Sequence, residues 1–398
     1  MKRNQRENTE SFLIHLLERK GADQGLARPV RMLLWLLKLL SRLYRAIVQF
    51  RLWSYNRGLL RHHTLGCQVI SVGNLTVGGT GKTPVVEIFA RELQLAGRRV
   101  AILSRGYKKA QPPFLKRLTN MLTFADRRLP PRVVSDGEEL LLDSAMSGDE
   151  PYMLASNLPN VAVLVDKDRV KSGRYAINKL GCDTLILDDG FQYLSLKPRV
   201  QIVLVDKTNP FGNEHVLPRG ILREPIKNIK RADFIFITKS DGNGTQELKD
   251  QLRSLNPRAE IIECRHCPRH LQHIISKERQ PLEYLKGKRV TALSGIAAPG
   301  GFEASIESFG AEIIQRHRFA DHHRYSQQEM IDIINNARRE RVDAIITTEK
   351  DAVRFPNIGR YDVPVYFMRV DIDILEGAED FKASIAHICF QEVKGVAA

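Results

Sequence analysis

The sequence predicts an α/β fold: a parallel-sheet domain of the phosphate-loop NTPase type, a second and smaller α/β domain after it, and an amphipathic helix before it. Three observations carry this. A β-branched run enters a glycine-rich turn at residues 68–84 (QVISVGNLTVGGTGKTP) and leaves it as a helix. Short apolar runs then alternate with helical stretches, as in βαβ units whose sheet is covered on both faces. The stretch from Val30 to Trp53 is densely apolar yet regularly interrupted by cations.

Taken in order, residues 1–27 form a polar N-terminal extension to which no role is assigned. The region 28–65 contains VRMLLWLLKLLSRLYRAIVQFRLW, in which Arg31, Lys38, Arg42, Arg45 and Arg51 break the apolar sequence. A spanning helix needs about 20 mostly apolar residues, and the longest uncharged run here, Met32 to Leu37, falls far short. The charged segment before it is unlike a secretory signal. The reading is a cationic helix lying in a membrane interface, with Trp35, Tyr44 and Trp53 near headgroup level. A surface helix packed on the domain is the plain alternative.

Residues 66–263 read as the phosphate-loop domain. Val69-Ile70-Ser71-Val72 is the entering strand, and Thr76, Val77, Gly78, Gly79, Thr80, Gly81, Lys82 and Thr83 form the loop. Glycines let backbone N–H groups close around phosphate oxygens, the lysine reaches the terminal phosphates, and the threonine hydroxyl can ligate Mg²⁺. Thr76 occupies the position where G-x-x-x-x-G-K-[ST] has its first glycine. A chance glycine-rich turn would not explain both the strand before and the helix after, with Val85, Val86, Ile88, Phe89, Leu93 and Leu95 on its apolar face. Strands follow at 100–103, 161–165, 184–187, 200–205 and 234–237, then a helix at 245–255 and a strand at 260–263.

A polar linker is expected at 264–288, where no clear period is visible. The second α/β domain (289–370) has strands near 290–293, 312–314, 344–347 and 365–367 and helices near 301–309 and 326–339. A C-terminal helix and tail (371–398) end the chain.

The formal net charge is +15. Residues 1–66 hold thirteen Lys/Arg against four Asp/Glu, and a second basic stretch runs from Arg105 to Arg132. Such surfaces attract polyanions, whether nucleic acid, acidic lipid or a phosphorylated substrate. Five scattered cysteines argue against a disulfide framework and for a reducing compartment. Cys264-x-x-Cys267, with His266, His270 and His273 nearby, resembles half a metal site but lacks a second well-spaced pair. A solvated basic loop is the favoured reading there.

Asp183-Thr-Leu-Ile-Leu-Asp188-Asp189 is an apolar strand ending in two acids. In phosphate-loop enzymes a carboxylate at such a strand end holds Mg²⁺, and paired acids on a buried strand need a cation or hydrogen bonds. A turn closing a hairpin would use the same residues. Five further motifs are individually weak: Ser104-Arg-Gly-Tyr107, Gly148-Asp149-Glu150-Pro151, Leu217 to Pro225 with its arginine, Thr238-Lys-Ser-Asp241 and Phe319 to Tyr325.

As an ordered set, LTVGGTGKTP, SRGY, GDEP, ILDDGFQ, FGN, LPRGILREP, SGIAAP, FADHHRY and TTEKDAVR resemble the tetraacyldisaccharide 4'-kinases, the lipid A 4'-kinases of Gram-negative bacteria. The resemblance covers roughly residues 28–370. It implies Mg²⁺- and ATP-dependent phosphorylation of the 4'-hydroxyl of tetraacyldisaccharide 1-phosphate, a membrane-embedded glycolipid, and two α/β domains with the active site in the cleft between them. It also implies that Asp149 and His322 act as a pair on the acceptor hydroxyl. Lys82 would serve the β/γ-phosphates, Thr83, Asp188 and Asp189 the metal, and Arg223 the charge on the transferring group. Tyr107, Glu150, Gln192 and Glu224 would line the site. Within the doublet His322-His323, the residue directly after Asp321 is the chosen one. The family loop tolerates a non-glycine at the position of Thr76. Localisation would be peripheral or monotopic at the cytoplasmic face of the bacterial inner membrane, with no nucleic acid and no obligate protein partner. The competing readings are a nucleic-acid-dependent ATPase, which needs no interfacial helix, and a membrane-bound nucleotide switch, which leaves Asp149 and His322 without a task.

Overall fold

The computed structural model describes residues 27–106, 129–356, 359 and 362–390. Tyr107, most of the second basic stretch and the N-terminal extension lie outside the described residues. In chain order come α1 (Arg28–Asn56), β1 (Gln68–Asn74), α2 (Lys82–Leu95), β2 (Val100–Ser104), β3 (Arg132–Ser135), α3 (Ser144–Ser147) and α4 (Asp149–Asn157). Next are β4 (Ala162–Val165), α5 (Arg169–Leu180), β5 (Thr184–Asp188), β6 (Val200–Asp206), β7 (Phe234–Thr238) and α6 (Gln246–Leu255). The chain continues through β8 (Glu260–His273), β9 (Arg279–Gln280), β10 (Arg289–Ser294), α7 (Pro299–Ser308) and β11 (Glu312–Arg318). It ends with α8 (Gln327–Arg339), β12 (Ala344–Thr348), α9 (Glu349–Ala352), β13 (Val365–Glu376) and α10 (Ala378–Phe390).

Two compact units result. The first comprises the described residues of Met1–Leu103, Gly181–Arg265 and Ile374–Ala398; the second those of Ser104–Leu180 and His266–Asp373. The expected division at a 264–288 linker is therefore corrected on two counts. Residues 104–180, expected in the phosphate-loop domain, cluster with 266–373. Residues 264–273 belong to β8, a strand of 14 residues rather than a loop. The reason is visible in its burial: only Ile262, Glu263, Cys264 and Leu271 are fully covered. A half-buried strand carrying Arg and His on its open positions has no apolar run to betray it.

In the first unit, β8, β7, β6, β1, β5 and β2 lie side by side in that order, and each successive pair is parallel. Every residue of β1 and β5 is buried, which is what a parallel sheet covered on both faces requires. Helix α2 packs on β1 and β5. Its Phe89 meets Phe236 of β7 and Phe381 of α10 edge-on, with ring centroids 5.6 and 4.9 Å apart. Such pairs contribute about 0.5–1.5 kcal/mol beyond their buried area, so the C-terminal helix is a structural part of this unit.

Helix α1 docks on the same unit through one face. Ser41 Oγ donates to Val216 O at 2.7 Å, Tyr44 OH to Arg223 O at 3.1 Å, and Gln49 to Asn228 at 3.1 Å. The opposite face leaves Met32, Trp35, Leu36, Leu39, Leu43, Ile47 and Phe50 exposed, Trp35 at 65% and Met32 at 72%.

The second unit has β11, β10, β12 and β13 in order with β8 next to β13, the first three pairs being parallel. Strands β3 and β4 pair antiparallel. Helix α8 begins with a capping box: Ser326 Oγ accepts from the Glu329 amide, and the Glu329 carboxylate accepts from the Ser326 amide. This is the S-x-x-E signature that closes a helix start. Met330, Ile333, Ile334 and Ala337 of α8 then bury against Leu293, Ile345 and Val365 of the strands.

Candidate active site

The loop of the first unit is shaped by β1 before it and α2 after it. Gly78 and Gly81 adopt φ of 113° and 78°, conformations strained for any residue with a Cβ. Gly81 is the N-cap of α2 and offers no side chain to its first amides. Those donors have no intrahelical partner and are left for an anion. Thr80 is buried, and its Oγ1 has no hydrogen-bond partner. An orphaned hydroxyl beside uncapped amides fits a phosphate group and its metal. Thr76 is also buried and makes an antiparallel bridge to Leu222, so a side chain at the missing glycine position is accommodated as packing.

That bridge has a consequence for Arg223. Val77 N donates to Ile221 O at 2.7 Å, and Arg223 N donates to Leu75 O at 2.6 Å. The arginine is thus held at the glycine-rich loop by main-chain pairing. Its Nη1 donates to both Asp189 oxygens, at 2.9 and 2.7 Å. Lys82 Nζ lies 3.6 Å from Asp189 Oδ1 and donates to Asn74 Oδ1 at 3.4 Å. Asp188, the last residue of β5, is buried. Gln192 donates to Asn74 O at 3.0 Å and sits 3.5 Å from Arg223 Nη1. Lys82, Thr83, Asp188, Asp189, Gln192 and Arg223 all lie in the first unit. Asp189 is engaged with two cations, an arrangement the strand-end reading did not foresee.

Glu224, expected to line the site, is held by two neighbours. It is buried and accepts from Asn228 at 2.7 Å and from Arg231 at 2.8 Å, while the Arg231 guanidinium lies 3.9 Å over the Phe191 ring. Burial pulls Arg231 below its ordinary value, against the opposing charge of Glu224. The pair braces the segment behind Arg223, and Glu224 also borders a cavity of about 120 Å³ with Tyr44, Arg51, Gln192 and Arg223. The loop at Thr238–Asp241 is tied inward as well: Thr238 Oγ1 donates to Thr80 O at 2.9 Å, and Lys239 pairs with Asp206 at 2.5 Å.

In the second unit, Asp149 opens α4 directly after Gly148 and is 8% exposed. Its Oδ2 lies 3.2 Å from His322 Nδ1. His322 has a φ of 65°, a left-handed conformation that costs a non-glycine residue about 1–3 kcal/mol and persists where the surroundings enforce it. Burial pushes the Asp149 carboxyl up, but the hydrogen bond to His322 and the guanidiniums of Arg354 and Arg324 outweigh it and hold the group below its ordinary value. Lys350 Nζ is 3.3 Å from His322 Nε2 and 3.5 Å from Asp321 Oδ1, with Glu150 Oε1 at 3.9 Å.

The neighbouring histidine is employed elsewhere. His323 stacks on Phe319 with centroids 4.6 Å apart, and its Nε2 meets the capping-box Glu329 at 3.2 Å. Sequence reasoning missed Lys350, Asp351 and Arg354, although TTEKDAVR was among its motifs; two cations one helical turn apart were the available signal. Near Cys264, burial pushes the thiol up to about 12, and among the described residues no group of three or more His, Cys, Asp or Glu is placed to hold a metal ion.

Comparison with known proteins shows the family. The family model for tetraacyldisaccharide-1-P 4'-kinase matches residues 33–389. The chain belongs to that family. A tetraacyldisaccharide 4'-kinase of Anaeromyxobacter dehalogenans is 40% identical over 348 residues, covering 86% of this chain and 87% of the relative. One from Halothermothrix orenii is 35% identical over 394 residues, covering 95% and 97%. Among solved structures, LpxK from Aquifex aeolicus in complex with ATP is similar with a TM-score of 0.69 and 29% identity, covering 90% of this chain and all of that one. Family membership makes the protein a kinase of lipid A biosynthesis.

Proposed function

We propose that the protein transfers the γ-phosphate of ATP to the 4'-hydroxyl of tetraacyldisaccharide 1-phosphate, giving lipid IVA, while lying on a membrane surface. The observation that carries this reading is the pairing of buried Asp149 with part-buried His322, 173 residues apart in sequence and 3.2 Å apart in space. A nucleotide switch has no use for such a pair.

Phosphoryl transfer asks mainly for alignment and charge neutralisation. The loop amides from Gly78 to Thr83 and the Lys82 ammonium would bind the nucleotide phosphates, and Thr83 and Asp188 would hold Mg²⁺. The metal ion, when bound, neutralises charge on the phosphate oxygens. Asp189 keeps Lys82 and Arg223 together ahead of the nucleotide, and Arg223 offsets charge on the transferring group. His322 accepts the proton of the sugar hydroxyl and Asp149 stabilises the imidazolium that forms. The hydroxyl oxygen bonds to the γ-phosphorus as the bond to the β,γ-bridging oxygen breaks. ADP departs with that electron pair, and His322 releases its proton to solvent.

The exposed apolar face of α1 supports membrane association. No helix among the described residues is long and apolar enough to cross a membrane. A helix with Trp35 and Trp53 exposed, Arg31, Lys38, Arg42 and Arg45 on its flank and its other face docked suits an interface.

The test incubates the full-length protein with labelled ATP and tetraacyldisaccharide 1-phosphate in detergent micelles and separates the lipids by thin-layer chromatography. A labelled glycolipid is expected; its absence sinks the proposal. Asp149→Ala and His322→Ala should lose turnover while still binding ATP, whereas His323→Ala should stay near wild type.

A further inference from the structure

The strongest unassigned feature of the second unit is a buried ion cluster behind the Asp149–His322 pair. Arg354 follows α9 and its side chain is wholly buried. Its Nε donates to Asp149 Oδ2 at 2.8 Å. Its Nη1 donates to Asp351 Oδ1 and to Gly295 O, both at 3.2 Å. Its Nη2 lies 3.1 Å from His322 Nδ1. One planar fork thus touches both members of the pair and the carbonyl that also accepts the His322 amide, at 3.2 Å.

Asp351 is equally buried and fixes the far side of the fork. It accepts from Gly295 N at 3.0 Å, Tyr325 OH at 3.1 Å and Thr348 Oγ1 at 2.6 Å. The fork therefore cannot rotate without breaking several buried contacts. A guanidinium only donates and stays charged at all relevant pH, so the acceptor for a proton on His322 Nδ1 is Asp149 Oδ2.

We propose that Arg354 is a positioning residue of this kinase: its guanidinium holds the Asp149 carboxylate against the His322 ring in the arrangement that accepts the hydroxyl proton. The inference rests on the reading of Asp149 and His322 as the acceptor-side pair. The cluster's charges make chemical sense of it. Asp149, Asp351 and Arg354 together carry one net negative charge, which favours the imidazolium formed during transfer. Other charged groups face the pair. Arg324 lies 3.4 Å from Asp149 Oδ1 and is part-exposed; Asp321 and Lys350 face His322 Nε2 at 3.7 and 3.3 Å; Glu150 lies beyond Lys350. Of the cations around the pair, Arg354 alone is fully buried, where its charge is least screened.

The experiment measures kcat and both KM values of the full-length protein from pH 5 to 9, with thermal melting as the folding control. Asp149→Asn and His322→Ala come first; wild-type turnover in both refutes the underlying pair and not Arg354 specifically. Given their loss, Arg354→Gln is expected to lower kcat about 10–100-fold with KM values within about threefold. It should also move the acid limb of the pH profile up by about one unit, since Asp149 loses its nearest cation. Arg354→Lys should restore the acid limb but only part of kcat, because an ammonium keeps the charge and not the fork. A folded Arg354→Gln with wild-type kcat and pH profile overturns the proposal. If Arg354→Gln does not fold, Arg354→Lys decides, and wild-type kcat there overturns it. If neither folds, Asp351→Asn decides: with one carboxylate fewer sharing the guanidinium, the acid limb should move down, and an unmoved limb is the refuting result.

Discussion

Gly190, directly after the Asp188-Asp189 doublet, offers a test of how closely the acidic turn must sit. A Cβ built at this position would lie 2.6 Å from both Leu187 Cβ and Ser71 Oγ and 3.0 Å from Leu187 O. Ordinary contact begins near 3.4 Å, so Gly190→Ala requires a displacement of roughly 0.8 Å. Ser71 and Leu187 belong to β1 and β5, which are buried throughout and paired residue for residue, Ser71 opposite Leu187. The strands cannot yield, so the turn moves and carries Asp189 with it. Asp189 holds Arg223 at 2.7 Å and faces Lys82 at 3.6 Å, and a shift near 1 Å in such a constellation costs up to about 100-fold in rate. The stability cost of overpacking is about 1–3 kcal/mol, a fall of a few degrees in a chain of this size. Expected, then, is a folded protein whose kcat for phosphoryl transfer is down about 10–100-fold. Turnover assays at saturating substrates beside melting curves separate the two effects. Wild-type kcat with an unchanged melting temperature would show that the turn tolerates the shift and that the reasoning is wrong. Gly301→Ala, where no atom beyond its chain neighbours and its own helix backbone lies within 4 Å of the new Cβ, is the control and should leave kcat unchanged, with a melting temperature equal to or slightly above wild type.

Lys82→Ala should reduce turnover at least about 100-fold with little change in melting temperature, because its interactions are with Asn74 and Asp189 at a part-exposed site; turnover near wild type would remove Lys82 from the mechanism. Leu39→Glu, Leu43→Glu and Ile47→Glu combined replace exposed residues of α1, so folding should survive while co-sedimentation with anionic vesicles falls several-fold; undiminished sedimentation would argue against interfacial binding. Burial pushes the Glu263 carboxyl up, yet Lys249, Ser240 and Thr245 outweigh it and hold it below its ordinary value. A depressed carboxylate stabilises the fold fully above the ordinary range near pH 4.3 and loses that contribution as pH falls through its folded value. Glu263→Gln should therefore flatten the acid side of the melting-temperature profile between pH 3 and 7. It should also lower the neutral plateau, since buried Lys249 keeps only the exposed Glu376 as partner; an acid limb as steep as wild type would show that other carboxylates control it.

Much of the first unit was legible because its signals are local. A continuous apolar strand, a glycine turn and an amphipathic helix each declare themselves within a dozen residues, and so did β1, the loop and α2. Asp188 at the end of β5 was readable for the same reason. Strand β8 was legible only at its start, residues 260–263, because its continuation is half-buried and polar; the expected linker at 264–288 and the assignment of residues 104–180 did not hold. Glu224 could not be distinguished from Arg223 by sequence, since only packing shows that it is buried against Arg231 and Asn228.

The sequence by itself determined the α/β fold class, the strand–turn–helix from β1 to α2 and, through its ordered motifs, the family. These depend on periodicity and on residue types at short spacing, which survive without coordinates. Tertiary structure decided which side chains share a site. The geometry pairs His322 rather than His323 with Asp149, because the capping-box Glu329 and the Phe319 ring engage the second histidine. It brought Arg354 to Asp149 across 205 positions. It also tied Asp189 to Arg223 and Lys82. Contacts of this kind join residues far apart in sequence through buried charge, and no local pattern encodes the partner of a buried charge.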